Sequence, residues 1–145
     1  MRMFRRQFSL FGLMGAVCVI AVAFAAMRLV IQSREIKKQR HTLGAVGWAY
    51  HASLGDTGHL PREMADMSFL WAEWPEAAQA LKDGEVVVLW NAEVRGSDNS
   101  KYILGWHKDV PAKGGLVLMA DGVVKHMTAG EFNAGPKAKS VSAQP

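Results

Sequence analysis

The hydrophobic pattern divides the chain near residue 32. Phe8 to Met27 (FSLFGLMGAVCVIAVAFAAM) runs for 20 residues without a charge, and Leu29-Val30-Ile31 extends it past Arg28. At about 1.5 Å per residue, a helix of that length covers the roughly 30 Å hydrocarbon core of a bilayer. Backbone in lipid must satisfy its own hydrogen bonds, so a helix is the expected element. Residues 8–32 are therefore expected to form a transmembrane helix behind a basic head at 1–7. Beyond it, Ile36, Leu43, Val46, Tyr50 and Leu54 are spaced 7, 3, 4 and 4 apart, one face of a helix. Arg34, Lys37, Lys38 and Arg40 fall largely on the other faces. The spacing predicts that the helix leaves the membrane and continues to about residue 54, a rod of roughly 70 Å. Gly44 and Gly47 either weaken that helix or let a neighbour pack close. Gly55-Asp56-Thr57-Gly58, followed by Pro61, stops it.

Residues 55–134 read as a small α+β domain. His59 to Trp74 is rich in Met, Phe and Trp but has no clean period. Pro75 to Lys82 is a short helix with Pro in its first turn, ended by Asp83-Gly84. The period then changes. Glu85 to Asn91 (EVVVLWN) is β-branched and aromatic and apolar on both faces, which predicts a central strand. Lys101 to His107 is a second strand, flanked by loops at 95–100 and 109–115. Leu116–Ala120 and Val123–Met127 are two further strands joined by Asp121-Gly122. That dipeptide is a strong signal for a two-residue type I′ hairpin with positive φ at both positions. Thr128-Ala129-Gly130-Glu131 has the form of a capping box, predicting a closing helical turn. Residues 135–145 (GPKAKSVSAQP) read as a disordered tail. The fold class expected is α+β, a long N-terminal helix packed on a small antiparallel sheet.

Charge refines this picture. The net charge of +4 splits unevenly. Residues 1–40 hold eight Lys/Arg against one acid, Glu35, a balance of +7, while residues 41–145 hold nine against twelve, a balance of −3. The basic character belongs to the membrane flanks, where anionic headgroups account for it. A nucleic-acid partner would need its basic patch on the folded domain, so none is expected. Orientation is less decided: Arg2, Arg5 and Arg6 precede the span, while Arg28, Arg34, Lys37, Lys38 and Arg40 follow it. A bare positive-inside count favours a cytoplasmic C-terminal side. The single cysteine, Cys18, lies inside the apolar run and permits no intramolecular disulfide.

Candidate chemistry is sparse. No phosphate loop, Gly-x-Ser-x-Gly elbow or His-Glu-x-x-His pattern occurs, and no catalytic residue, cofactor or enzyme activity is expected. His51, Asp56 and His59 could in principle ligate zinc, but their spacing fits no standard site. Asp98, Asn99, Asp109 and Asp121 lie at strand ends, where oxygen ligands can gather calcium, and Asp121 is already explained by its turn. Trp48, Trp71, Trp74, Trp90 and Trp106 serve either core packing or a partner surface.

Three stretches carry a resemblance. They are the apolar helix opening Phe8-Ser9-Leu10, the run Leu43 to His51 leading into Asp56-Thr57-Gly58-His59-Leu60-Pro61, and His107 with a spacer before Leu116 to Lys125. Together they resemble the pseudopilin-like proteins of type II secretion systems, above all the planctomycete-type group with a C-terminal His…Asp-Gly hairpin. The resemblance implies that His107, Gly58 and Pro61 are family-motif positions and that cleavage would fall between Gln7 and Phe8. It departs from prepilins at both expected processing residues. Gln7 stands in place of Gly before the cut, and Gly12 in place of Glu at the fifth mature position. What it implies is a structural protein, single-pass in the inner membrane of a bacterial envelope, with its C-terminal domain periplasmic. Its partners would be membrane lipid and other pilin-like subunits, met through Gly12, Gly15, Ala16, Ala21 and Ala25. The alternatives are an anchored extracytoplasmic binding module that does not assemble and, with no motif in support, a membrane-bound metal-assisted hydrolase.

Overall fold

The computed structural model describes residues 10–94 and 98–141, with side chains from Val17 onward except that of Trp71. The chain divides into two compact units, Met1–Ile36 and Lys37–Pro145. Helix α1, Leu10–Thr57, contributes to both. In the first unit every side chain from Val17 to Ile31 is exposed, including Val19, Ile20, Val22, Phe24, Leu29 and Ile31. Among the described helices, this is one long and apolar enough to cross a membrane.

The second unit is a three-layered α+β domain. Its antiparallel sheet has four strands in the order β1 (Val86–Val88), β2 (Ile103–His107), β3 (Gly115–Met119), β4 (Val124–Met127). One face carries Val86, Val88, Leu104, Leu116, Leu118 and Ala120, buried with Leu43, Val46, Ala49 and Tyr50 of α1. Each such aliphatic side chain contributes at most about 1.5–3 kcal/mol of transfer free energy. The same core takes in Leu70 of α2 (Ser68–Glu73) and Ala77 and Ala78 of α3 (Pro75–Lys82). The opposite face is smaller. Ile103, Val117 and Met119 pack with Val110 of α4 (Val110–Lys113) and Phe132 of α5 (Ala129–Ala134). The arrangement of a long N-terminal helix on an antiparallel sheet is consistent with a pilin-like fold.

Helix α1 needs close contact with the sheet. A Cβ on Gly47 would lie 2.7 Å from Leu118 Cδ1, whereas one on Gly44 would meet nothing within 4 Å. Gly47 therefore lets the helix settle onto β3, and Gly44 has no such role. The helix runs three residues past the expected stop. Gly55 stays helical, Thr57 Oγ1 donates to the Ser53 carbonyl (2.8 Å), and the chain turns only at Gly58, whose φ is +72°. There the Gly58 N–H bonds the Leu54 carbonyl at 3.0 Å, as at other glycine-ended helices.

Several expectations are corrected. β1 is an edge strand, not a central one. Its residues are apolar on both faces because both faces of the sheet are covered: Val88 shares a row with Gly105 and Leu118, Val87 with Trp106 and Val117. The β3–β4 connection is a three-residue loop rather than a type I′ turn. Met119 N–H bonds the Val123 carbonyl (2.8 Å) and Gly122 N–H the Met119 carbonyl (2.9 Å). Only Gly122 takes positive φ (+84°), and Asp121 does not. Asp121 instead uses its carboxylate, which accepts the Val123 N–H at 3.0 Å. A turn closed by a glycine in the left-handed region is the usual three-residue solution. The loops flanking β2 contain a 3₁₀ turn at Asn99–Lys101 and helix α4, both too short to show a period.

The expected tail is also ordered as far as Val141. Ile103 N–H bonds the Pro136 carbonyl (2.9 Å), Ala138 N–H bonds the Ile103 carbonyl (2.8 Å), and Glu93 N–H bonds the Lys139 carbonyl (3.0 Å). Val141 N–H then reaches the Asn91 carbonyl at 2.7 Å. These are main-chain bonds, which composition does not encode. Lys137 Nζ adds a bond to the Gly135 carbonyl (2.9 Å) and sits 4.0 Å above the Phe132 ring.

Candidate functional site

The residues singled out from sequence take up structural posts. Gly58 closes α1. Pro61 is buried, and its carbonyl accepts the Asn91 N–H at 2.7 Å. Asn91 holds a left-handed φ of +51° there, and its amide bonds the Val141 carbonyl. Asp121 and Gly122 lie in the hairpin. His107, half-buried, ends β2 opposite Val86. Ala120 N–H bonds the Tyr102 carbonyl just before β2 begins (2.8 Å), so His107 and Asp121 lie at opposite ends of that strand. They share no site. Gln7, Phe8 and the head lie outside the described residues; Gly12, Gly15 and Ala16 fall on α1, before the first described side chain.

His51 lies against the hairpin. A Cβ on Gly122 would come within 3.6 Å of its Nε2, and that nitrogen is buried without a partner. Asp56 and His59 are exposed beyond it. Asp98 pairs with Lys101 (3.0 Å) and Asp109 with Lys113 (3.2 Å). Among the described residues, no three His, Cys, Asp or Glu side chains converge on a metal position.

Two features remain that can do something. One is the apolar surface of α1 from Val17 to Ile31. The other is aromatic and was only half legible: Trp48 projects from α1 with 52% of its surface exposed. Its ring meets Trp74 edge-on at 4.8 Å and Phe69 at 5.7 Å. Of the five tryptophans, Trp106 packs inward against Phe132 at 5.1 Å. Trp48 therefore stands out among the described residues as an outward-facing ring, and the sequence left it open between core packing and a partner surface.

Tyr50 locks the exposed helix face's opposite side to the domain. Its hydroxyl donates to the Ala92 carbonyl (3.1 Å) and accepts the Ala92 N–H (2.8 Å). Burial pushes its pKa up from the ordinary tyrosine value, partly offset by the backbone bond to Ala92. Glu131 is the other perturbed group. Hydrogen bonds from the Thr128 N–H (2.7 Å) and hydroxyl (2.9 Å) hold its carboxyl below the usual range.

Compared with known proteins, the chain matches no family model, no curated protein and no solved structure.

Proposed function

We propose that this chain is a membrane-anchored, pseudopilin-like structural protein of the bacterial envelope. Residues 8–32 cross the inner membrane once, the domain lies on the periplasmic side, and copies associate laterally through the apolar half of α1. Membership of a type II secretion-like assembly follows from the same resemblance. The observation that carries the reading is α1 itself: exposed apolar side chains from Val17 to Ile31, then buried ones at Leu43, Val46 and Tyr50, on one helix. An exposed apolar stretch of that length is stable in lipid or against other helices, not in water. Small residues at Ala21 and Ala25 allow helices to approach closely.

The test uses full-length copies bearing two different tags, co-reconstituted in lipid vesicles. Capture of one tag brings down the other, and Ala21→Leu with Ala25→Leu abolishes capture without releasing the protein from the vesicles. Failure of the wild-type copies to co-purify refutes assembly. That outcome favours the second reading, an anchored binding module, for which the exposed Trp48 is the specific observation.

A further inference from the structure

Helix α1 carries a charged face where the domain begins. Lys37, Lys38, Arg40 and His41 are all exposed. At about 100° per residue they fall within about 80° of one line along the helix. The buried Leu43, Val46 and Tyr50 fall within about 40° of the opposite line, so the sheet packs on the other side. Glu35, the acid nearest in sequence, lies about 140° away from the charged line. The rest of the domain has the other sign: residues 41–145 hold nine Lys/Arg against twelve acids, a balance of −3. Lys37, Lys38 and Arg40 bring residues 37–145 to neutrality. They do so from one end of the domain and from one side of its helix.

We propose that the Lys37–His41 face of α1 docks on anionic phospholipid headgroups and so sets the direction in which the helix leans out of the bilayer. The occupant follows from position and charge. Counting from Gln32, the end of the expected span, Lys37 stands about 8 Å and Arg40 about 12 Å further along the helix. Headgroups fill about 5–8 Å beyond the hydrocarbon. Both cations therefore lie within one Debye length, about 8 Å at physiological ionic strength, of the charged layer. Each basic side chain so placed strengthens contact with an anionic surface about five-fold. A spanning helix tilts by about 0–40°, and interfacial Lys and Arg help choose the direction. A lean toward the charged face brings it down to the headgroups and lifts the sheet, on the other side of the helix, away from them. The net-acidic remainder of the domain is thereby kept off a surface of its own sign. The inference rests on the membrane anchor proposed above and not on assembly.

The full-length chain with Cys18→Ser and His41→Cys, labelled with bimane at residue 41, is placed in lipid nanodiscs. One set is phosphatidylcholine alone and the other includes phosphatidylglycerol. Both carry the same fraction of phosphatidylcholine spin-labelled at its headgroup as quencher. The expected result is quenching at least about two-fold stronger in the anionic discs, an excess that molar salt removes. Lys37→Gln, Lys38→Gln and Arg40→Gln together bring it to the phosphatidylcholine level. A label on Gly55→Cys, exposed and far along α1, is quenched alike in both lipids. Equal quenching at residue 41 in the two lipids overturns the proposal, as does an excess that survives loss of the three cations. Either outcome leaves the anchor standing, whereas failure of the chain to enter the discs overturns both.

Discussion

Gly47 offers the sharpest check on how α1 meets the sheet. In Gly47→Ala two effects oppose each other. Alanine is better than glycine in a helix interior by about 1 kcal/mol. The added methyl, however, would lie 2.7 Å from Leu118 Cδ1, 3.4 Å from Cδ2 and 3.6 Å from Cγ. Leu118 is itself fully buried between α1 and the neighbouring strands, so it has nowhere to turn. Overpacking of that kind costs about 1–3 kcal/mol, so the net effect is a loss of up to about 2 kcal/mol. Gly44→Ala is the internal control. It sits one turn away, meets nothing within 4 Å, and gains about 0.5–1 kcal/mol. Thermal unfolding of the full chain in detergent, followed by near-ultraviolet circular dichroism, reads both. For a domain of this size 1 kcal/mol moves Tm by roughly 4–8 °C. Gly44→Ala should melt higher than wild type and Gly47→Ala lower. Equal stabilisation by the two substitutions would mean that α1 does not rest on Leu118.

Other perturbations address separate parts of the domain. Tyr50→Phe leaves the Ala92 N–H buried without an acceptor and should cost about 1–3 kcal/mol in urea unfolding. Because Tyr50 has a raised pKa when folded, its contribution is complete below the ordinary tyrosine value of 10.0 and disappears as pH rises through the higher folded value. The alkaline fall in wild-type Tm should therefore be steeper than that of Tyr50→Phe. Glu131 has the opposite sign: its lowered pKa gives stability present above the ordinary glutamate value and lost as pH falls through the folded one. Glu131→Gln should flatten the acid limb of the Tm–pH curve. Gly114→Ala forces a Cβ to within 2.8 Å of the Met127 carbonyl oxygen at a φ of +73°. The strain and the clash should together cost about 2–4 kcal/mol, read as a lowered urea midpoint.

Much of this fold was legible because its signals are local. The Pro75-led helix, the Thr128–Glu131 capping box and the glycine stop after α1 each depend on neighbours within four residues. The amphipathic line Leu43, Val46, Tyr50 also named the face that meets the sheet. What escaped depends on partners far along the chain. Nothing in Val86-Val87-Val88 distinguishes an edge strand from a central one once helices cover both faces. The ordering of Pro136 to Val141 comes from main-chain bonds to Ile103, Glu93 and Asn91, while its side chains look like those of a solvated tail. Asp121-Gly122 marked a hairpin correctly, but loop length was set by the Met119–Val123 pairing. The aromatic patch was ambiguous for a related reason: only tertiary structure shows which tryptophan is left facing outward.

The central claim is that one helix is lipid anchor at one end and core element of the domain at the other. Alkaline carbonate extraction of membranes from cells expressing the full-length 15.9 kDa chain tests it most directly. The uncut chain should remain in the pellet and be released only by detergent, with the domain still folded by its near-ultraviolet signal. Recovery of the intact chain in the carbonate supernatant would contradict the account.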